Sequence, residues 1–311
     1  MATSEPAEHR FGGSWTEVKL NAVYDYLNFY NRALQASPSP ANPFETWYVD
    51  AFAGTGDRTI ETNSGSLFSV EGGTLDRVRL EGSARRAIAV NPPFRHLIFI
   101  EKDARRFAAL DRVRADHPQR DIRCVPGDAN DEIRQIFSQG PWIEPTRRGL
   151  QRAVVFLDPY GMSVRWDTLR FLAGTSRADV WYLFPLHAAL RQLSHDHAAL
   201  DPSKRAALNE VFGTSDWEDR FYKHRPAPTN LFDFADAATP SRIAGPDKVE
   251  QFAAERLRTI FSFVSEPIPI LTRHKLRQFS LFLLSGNSNG KAITLIEKGV
   301  AAQIKKYGGR S

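Results

Sequence analysis

Four short apolar runs, each closed by an acid, limit most strongly what this chain can fold into. They are TWYVD (46–50), HLIFIE (96–101), IRCVPGD (122–128) and AVVFLD (153–158). Continuous rather than alternating apolar residues mark strands buried on both faces, the condition of a parallel sheet covered by helices. A fifth run, ADVWYLFPL (178–186), has the same character. Helical segments lie between the runs: ARRFAALDRVRAD (104–116), EIRQIF (132–137) and WDTLRFLAG (166–174). Strand and helix in alternation predict an α/β fold with a mostly parallel, doubly wound sheet.

The flanks extend this plan. Leu20, Val23, Tyr24, Leu27, Tyr30 and Leu34 recur at helical spacing after a capping-box pattern, Ser14-x-x-Glu17, and SPSPANP (37–43) ends that helix. Residues 248–264 read as a helix, PIPILTR (267–273) and RQFSLFLLSG (277–286) as adjacent strands with the last antiparallel, and 290–306 as a closing helix. Residues 1–13 are expected to be disordered. Residues 14–311 are expected to form one domain, with insertions at about 57–95 and 187–245, the second helical.

Composition narrows the class. A single cysteine, Cys124, excludes an intrachain disulfide and a cysteine-only zinc site. No apolar run approaches the ~18 residues of a membrane span, and the first twenty residues lack the apolar core of a signal peptide. The expectation is a soluble, cytoplasmic protein with no membrane contact. The net charge of +5 suits a nucleic-acid partner, but the arginines are scattered as on a solvated helix face.

The strand-end acids are where chemistry is expected, because ligands of doubly wound sheets bind beyond the carboxyl ends of the strands. Asp50 opens DAFAGTG, whose Phe52, Gly54, Thr55 and Gly56 form a strand-to-helix turn open to a ligand. Glu101 suits the two hydroxyls of a ribose; it also reads as an ordinary surface acid beside Lys102 and Arg105. Asp128, followed by Ala129, suits an adenine amino group; it also reads as a helix N-cap. A dinucleotide fingerprint would place a third glycine where Thr59 stands. Acids at the loop are unfriendly to a pyrophosphate and suit a cationic ligand. S-adenosylmethionine is therefore the expected cofactor, ahead of NAD.

These motifs also carry a resemblance. DAFAGTG, an acidic second strand end and a strand ending in DPYG resemble the class I methyltransferases that modify exocyclic amines of bases. The wider set GGSWTEVKL, YVDAFAGTG, FIEKD, GDAN, FLDPYGMSVRWDTL and DVWYLFP, over about residues 12–186, resembles the three-Cys-motif partner family. The resemblance implies a Rossmann-like class I methyltransferase fold. It also implies a partner bearing a three-cysteine motif, similar to those that hold iron–sulfur clusters. For Asp158, Pro159 and Tyr160 it implies an amine clamp: the acid and the proline carbonyl hold the amine N–H bonds, and the aromatic stacks on a base of DNA or RNA. Here Tyr160 replaces a second proline and Gly161 stands where the family's aromatic falls, so a turn that only closes the cofactor pocket is the competing reading.

Two function classes therefore stand: a methyltransferase acting on an amine of a nucleic-acid base, and an accessory subunit that keeps the fold and supports its partner. Other candidates are expected to be structural. His187, His195 and His197 do not share a helix face, so no metal site is expected. Trp217 and Tyr222 read as core. Lys19, on the face opposite Leu20 and Tyr24, could reach the pocket, but the reading preferred is a solvated lysine.

Overall fold

The computed structural model describes residues 14–35, 37–63, 75–223, 241–272 and 274–308. The expected disorder of residues 1–13 lies outside them. The sheet contains β1 (Glu45–Asp50), β2 (His96–Glu101), β3 (Ile122–Pro126), β4 (Gln151–Leu157), β5 (Ala178–Phe184), β6 (Phe263–Val264), β7 (Ile268–Leu271) and β8 (Arg277–Ser285). Its order runs β6, β8, β5, β4, β1, β2, β3, with β7 also paired to β8. The first five strands are mutually parallel. β8 runs antiparallel to β5, and β6 and β7 antiparallel to β8. This is a mostly parallel, doubly wound, Rossmann-like fold with an antiparallel last strand. The chain reverses its direction of winding between β1 and β4, the point at whose carboxyl ends doubly wound sheets bind their ligands.

Both faces of the sheet are dry. Val49, Ile98, Ile100, Val155, Leu157, Val180 and Tyr182 point to one core, under α4 (Ala129–Phe137) and α5 (Trp166–Thr175). Tyr48, Leu97, Phe99, Val154, Phe156, Trp181 and Leu183 point to the other. That second core is covered by α1 (Ser14–Leu34), α2 (Ser83–Ile88), α3 (Ala104–Ala115) and α10 (Gly290–Tyr307). Successive strand residues thus serve opposite cores, which is why the runs read as continuously apolar.

α1 lies along the sheet and ties its lower end as well. The Tyr26 hydroxyl donates to Asp179 Oδ2 at 3.0 Å, and the Tyr30 hydroxyl to the Ala153 carbonyl at 3.4 Å. Glu17 accepts from Arg86 Nη2 at 2.6 Å; the expected capping box rests on the Ser14 side chain, which lies outside what the structure describes.

Of the two segments read as insertions, the first contains an antiparallel hairpin, Asp57–Asn63 with Leu75–Glu81, before α2. The hairpin is an element that the polar sequence does not announce. The second contains α6 (Leu186–Gln192), α7 (Pro202–Phe212) and α8 (Trp217–Phe221), followed by α9 (Pro246–Arg258). Trp217, Phe221 and Tyr222 are buried in the same apolar cluster as the sheet face, and the Trp217 indole donates to Asn209 Oδ1 at 2.7 Å. Residues 248–264 are not one helix: α9 ends at Arg258 and Phe263–Val264 joins the sheet.

Because Trp217 shares the core of the sheet, this helical segment should unfold together with it. Trp217→Ala is expected to cost ~3–5 kcal/mol, read from urea unfolding followed by circular dichroism. A separate early transition in the wild type would show instead that the segment is a unit of its own.

Candidate active site at the strand ends

The loop after β1 crosses the ends of its neighbours. The Ala51 amide donates to the Phe156 carbonyl at 3.0 Å, and the Ala53 amide to the Ile100 carbonyl at 3.0 Å. Gly54 and Gly56 take φ of +63° and +75°, a region L side chains rarely adopt. A Cβ on Gly56 would come within 3.1 Å of Val113, so α3 packs directly on the loop. A Cβ on Gly54 would meet nothing within 4 Å, so the loop is open on the side where a ligand would lie.

Asp50 is fully buried behind this loop. Its Oδ1 accepts from the Phe52 amide at 3.3 Å, and its Oδ2 faces the Tyr48 hydroxyl at 3.5 Å. Burial lifts its pKa to about 7; a hydrogen bond from Ser83 opposes the rise and the charge of Asp158 adds to it. Asp50 therefore shapes the turn from behind. Phe52 and Thr55 are half-buried in it.

Glu101 is 3 % exposed, not the surface acid of the alternative reading. Its Oε2 accepts from the Gly54 amide at 3.0 Å, and its Oε1 from the Asp103 amide at 2.7 Å and Arg106 Nη2 at 3.0 Å. The loop, the end of β2 and the first turn of α3 thus meet on one carboxylate. Asp128 caps α4, accepting from the Asn130 amide and side chain, both at 3.0 Å, with Lys102 at 3.3 Å. Burial works to raise its pKa, but these donors outweigh it and hold the carboxyl below its usual range. Ala129 is buried in the core beneath the sheet.

After β4 the chain turns through Asp158, half-buried, Pro159, buried, and Tyr160, 48 % exposed. The Arg106 guanidinium stands over the Tyr160 ring, 4.9 Å from its centroid. Gly161 has φ +62°. Asn130 fixes the far side of the turn: it donates to the Ser163 carbonyl at 2.9 Å and accepts from the Arg165 amide and the Thr168 hydroxyl, each at 2.9 Å.

Lys19 corrects the sequence reading. It is 6 % exposed, not solvated, and its Nζ donates to Asp158 Oδ2 at 2.5 Å. α1 carries it over the end of β4 on the stripe that includes Val23, Tyr26 and Tyr30, all buried. That i, i+4, i+7, i+11 spacing was the available signal. Asn130, inside GDAN, had no such signal, because its partners in the turn lie more than thirty residues away in sequence. Of the histidines considered, His197 bonds Glu218 at 2.6 Å. Among the described residues no group of three His, Cys, Asp or Glu is placed to hold a metal ion, and no helix is long and apolar enough to cross a membrane.

No family model matches the chain, and no curated protein does. Solved structures with some likeness include a Legionella pneumophila protein of family DUF519, 11 % identical, TM-score 0.45, covering 97 % of this chain and 96 % of that one. A candidate methyltransferase from Thermobifida fusca is 12 % identical, TM-score 0.35, covering 87 % and 80 %. A protein linked to conversion of a disulfide bond into a thioacetal group during echinomycin biosynthesis is 12 % identical, TM-score 0.32, covering 86 % and 85 %. Scores this low leave the strand order of the chain itself to carry the fold.

Asp50 gives the site a pH signature. Between its ordinary value of 3.8 and its folded value of about 7, the native state keeps a proton that the unfolded chain has released. This group's contribution to stability therefore falls as pH rises through that window and is constant above it. Asp50→Asn cannot ionise. Relative to wild type it should gain more than about 1 kcal/mol between roughly pH 4 and pH 7, measured by urea unfolding at stepped pH. A difference that does not change with pH would mean that Asp50 titrates normally.

Proposed function

We propose that this chain is an S-adenosylmethionine-dependent methyltransferase acting on an exocyclic amine of a nucleic-acid base, together with a three-cysteine-motif partner. The observation that carries the reading is the Asp158 carboxylate, half-buried beside the switch point and aligned by Lys19. The donor set of the pocket fits the cofactor. Glu101 has an acceptor position to spare on Oε2, and Gly54 leaves open space above the loop. Glu101 would take the ribose hydroxyls, and the open side of the glycine turn would lie against the amino-acid portion. Asp128 stands at the end of β3 for the adenine. Bound, the cofactor supplies an electrophilic methyl group.

The chain's own residues then have to present a nucleophile. An aromatic amine is a weak one because its lone pair is shared with the ring. Asp158 accepts one N–H and the Pro159 carbonyl the other, which turns the lone pair out of the ring plane and fixes its direction. Holding reactants in line supplies much of the rate without strong acid–base chemistry. Lys19 holds Asp158 in one rotamer through its Nζ–Oδ2 hydrogen bond, so the acceptor is set before the amine arrives. The Tyr160 ring, exposed at the rim, would stack on the base.

The accessory-subunit reading draws support from a different observation: the cationic groups Lys19 and Arg106 already occupy Asp158 and Glu101. Transfer of a labelled methyl group to total RNA, to DNA and to the co-purified partner separates the two readings. Asp158→Asn should leave cofactor affinity nearly intact and lower transfer at least about tenfold, or ~1.4 kcal/mol of barrier. Lys19→Met should lower transfer in the same direction. No transfer by wild type to any acceptor would favour the accessory role, and transfer that survives Asp158→Asn would remove Asp158 from the mechanism.

Nucleic-acid binding has its own check. Affinity for RNA or DNA should fall steeply between low and moderate salt as phosphate contacts release counterions. Gel shifts with and without the partner measure it. Absence of binding at low salt in both cases would remove the nucleic-acid substrate.

A further inference from the structure

Arg106, in the first turn of α3, touches both halves of the site. Its Nη2 donates to Glu101 Oε1 at 3.0 Å, and its guanidinium lies 4.9 Å from the centroid of the Tyr160 ring. Its Nε is buried and has no hydrogen-bond partner. The guanidinium is thus held at one end and across its face while a third polar atom is left unsatisfied.

The acceptor positions on Glu101 show what this does. A carboxylate offers about four, two on each oxygen. Oε1 already receives the Asp103 amide at 2.7 Å and Arg106 at 3.0 Å, so it is full; Oε2 receives the Gly54 amide alone. A vicinal diol placed across a carboxylate needs one position on each oxygen. Oε2 has room for its hydroxyl, whereas Oε1 has none while Arg106 remains. The Asp103 amide is fixed by the start of α3, so the side chain of Arg106 is the donor that can leave.

We propose that Arg106 is a displaceable latch between the cofactor acid and the substrate ring. A ribose diol takes its place on Glu101, and the freed guanidinium uncovers the Tyr160 ring for a planar base. The proposal rests on the reading of Glu101 as the cofactor's acid. It makes binding ordered, cofactor before base, and it lowers the apparent cofactor affinity by the fraction of molecules in which the latch is open. An α3 side chain would then ensure that the ring face now under the Arg106 guanidinium is freed only when a methyl donor is in place.

The test is calorimetric titration of the full chain with S-adenosylhomocysteine, in wild type, Arg106→Ala, Tyr160→Leu and Glu101→Ala. Arg106→Ala removes the competitor and should bind at least about threefold more tightly. Tyr160→Leu, which removes the ring against which the guanidinium rests, should shift affinity the same way by less. Hydrogen exchange over residues 158–163 gives a second readout. In wild type it should accelerate when S-adenosylhomocysteine is added; in Arg106→Ala it should already be fast and should not respond. Equal or weaker binding by Arg106→Ala, with Glu101→Ala still impaired, overturns the latch and leaves the pocket standing. No binding by wild type or by Arg106→Ala removes the pocket itself, and the latch with it.

Discussion

A carboxylate shut away from water must be met by donors or give up its charge, and the strand ends meet that demand in three ways. Asp50, behind the loop, holds its proton to about neutral pH. Glu101 is met by two backbone amides and a guanidinium. Asp158 is met by an ammonium from a helix more than a hundred residues earlier in the chain. The local architecture follows from these solutions. The turn after β1 must expose the Gly54 amide, so it adopts a positive φ. α3 must begin at Asp103, so that the next amides can be capped and its own can reach Glu101. α1 must cross the end of β4.

The sheet was legible in the sequence because strands buried on both faces leave no polar position to confuse the pattern. TWYVD, HLIFIE and AVVFLD could be placed without knowing their neighbours, and the antiparallel partner of β7 was legible in RQFSLFLLSG. The short hairpin after the glycine loop was not, because its strands are polar and its pairing is local. Glu101 and Asp128 were each open to two readings. The structure buries the first and gives the second its capping bonds, neither of which residue type alone decides. Lys19 was misread for a specific reason. A charged residue was assigned to solvent on its chemistry, although its spacing to Val23, Tyr26 and Tyr30 placed it on the buried stripe. Spacing outranks residue type when a buried counter-charge exists, and that counter-charge lay 139 positions away.

α1 does two kinds of work with one stripe of side chains. Its apolar residues cover one face of the sheet, while Lys19, Tyr26 and Tyr30 reach polar atoms of β4, of β5 and of the turn beyond β4. The orientation of Asp158 is therefore referenced to the whole sheet rather than to its own loop. Asn130 references the other side of the same loop to α4. A turn held from two helices on opposite faces keeps its geometry although its tip, Tyr160 and Gly161, lies in solvent.

The two margins of the sheet have a consequence outside the site. A free strand margin is a template for pairing with another chain. Here β3, at one margin, ends in Pro126, and β7, which shares the other margin with the two-residue β6, carries Pro269 within it. Proline offers no N–H to an incoming strand, so each margin lacks a donor that a growing ladder would need. Edge-to-edge pairing with a copy of the same sheet is disfavoured at those two positions, a guard placed on the margins rather than in the core.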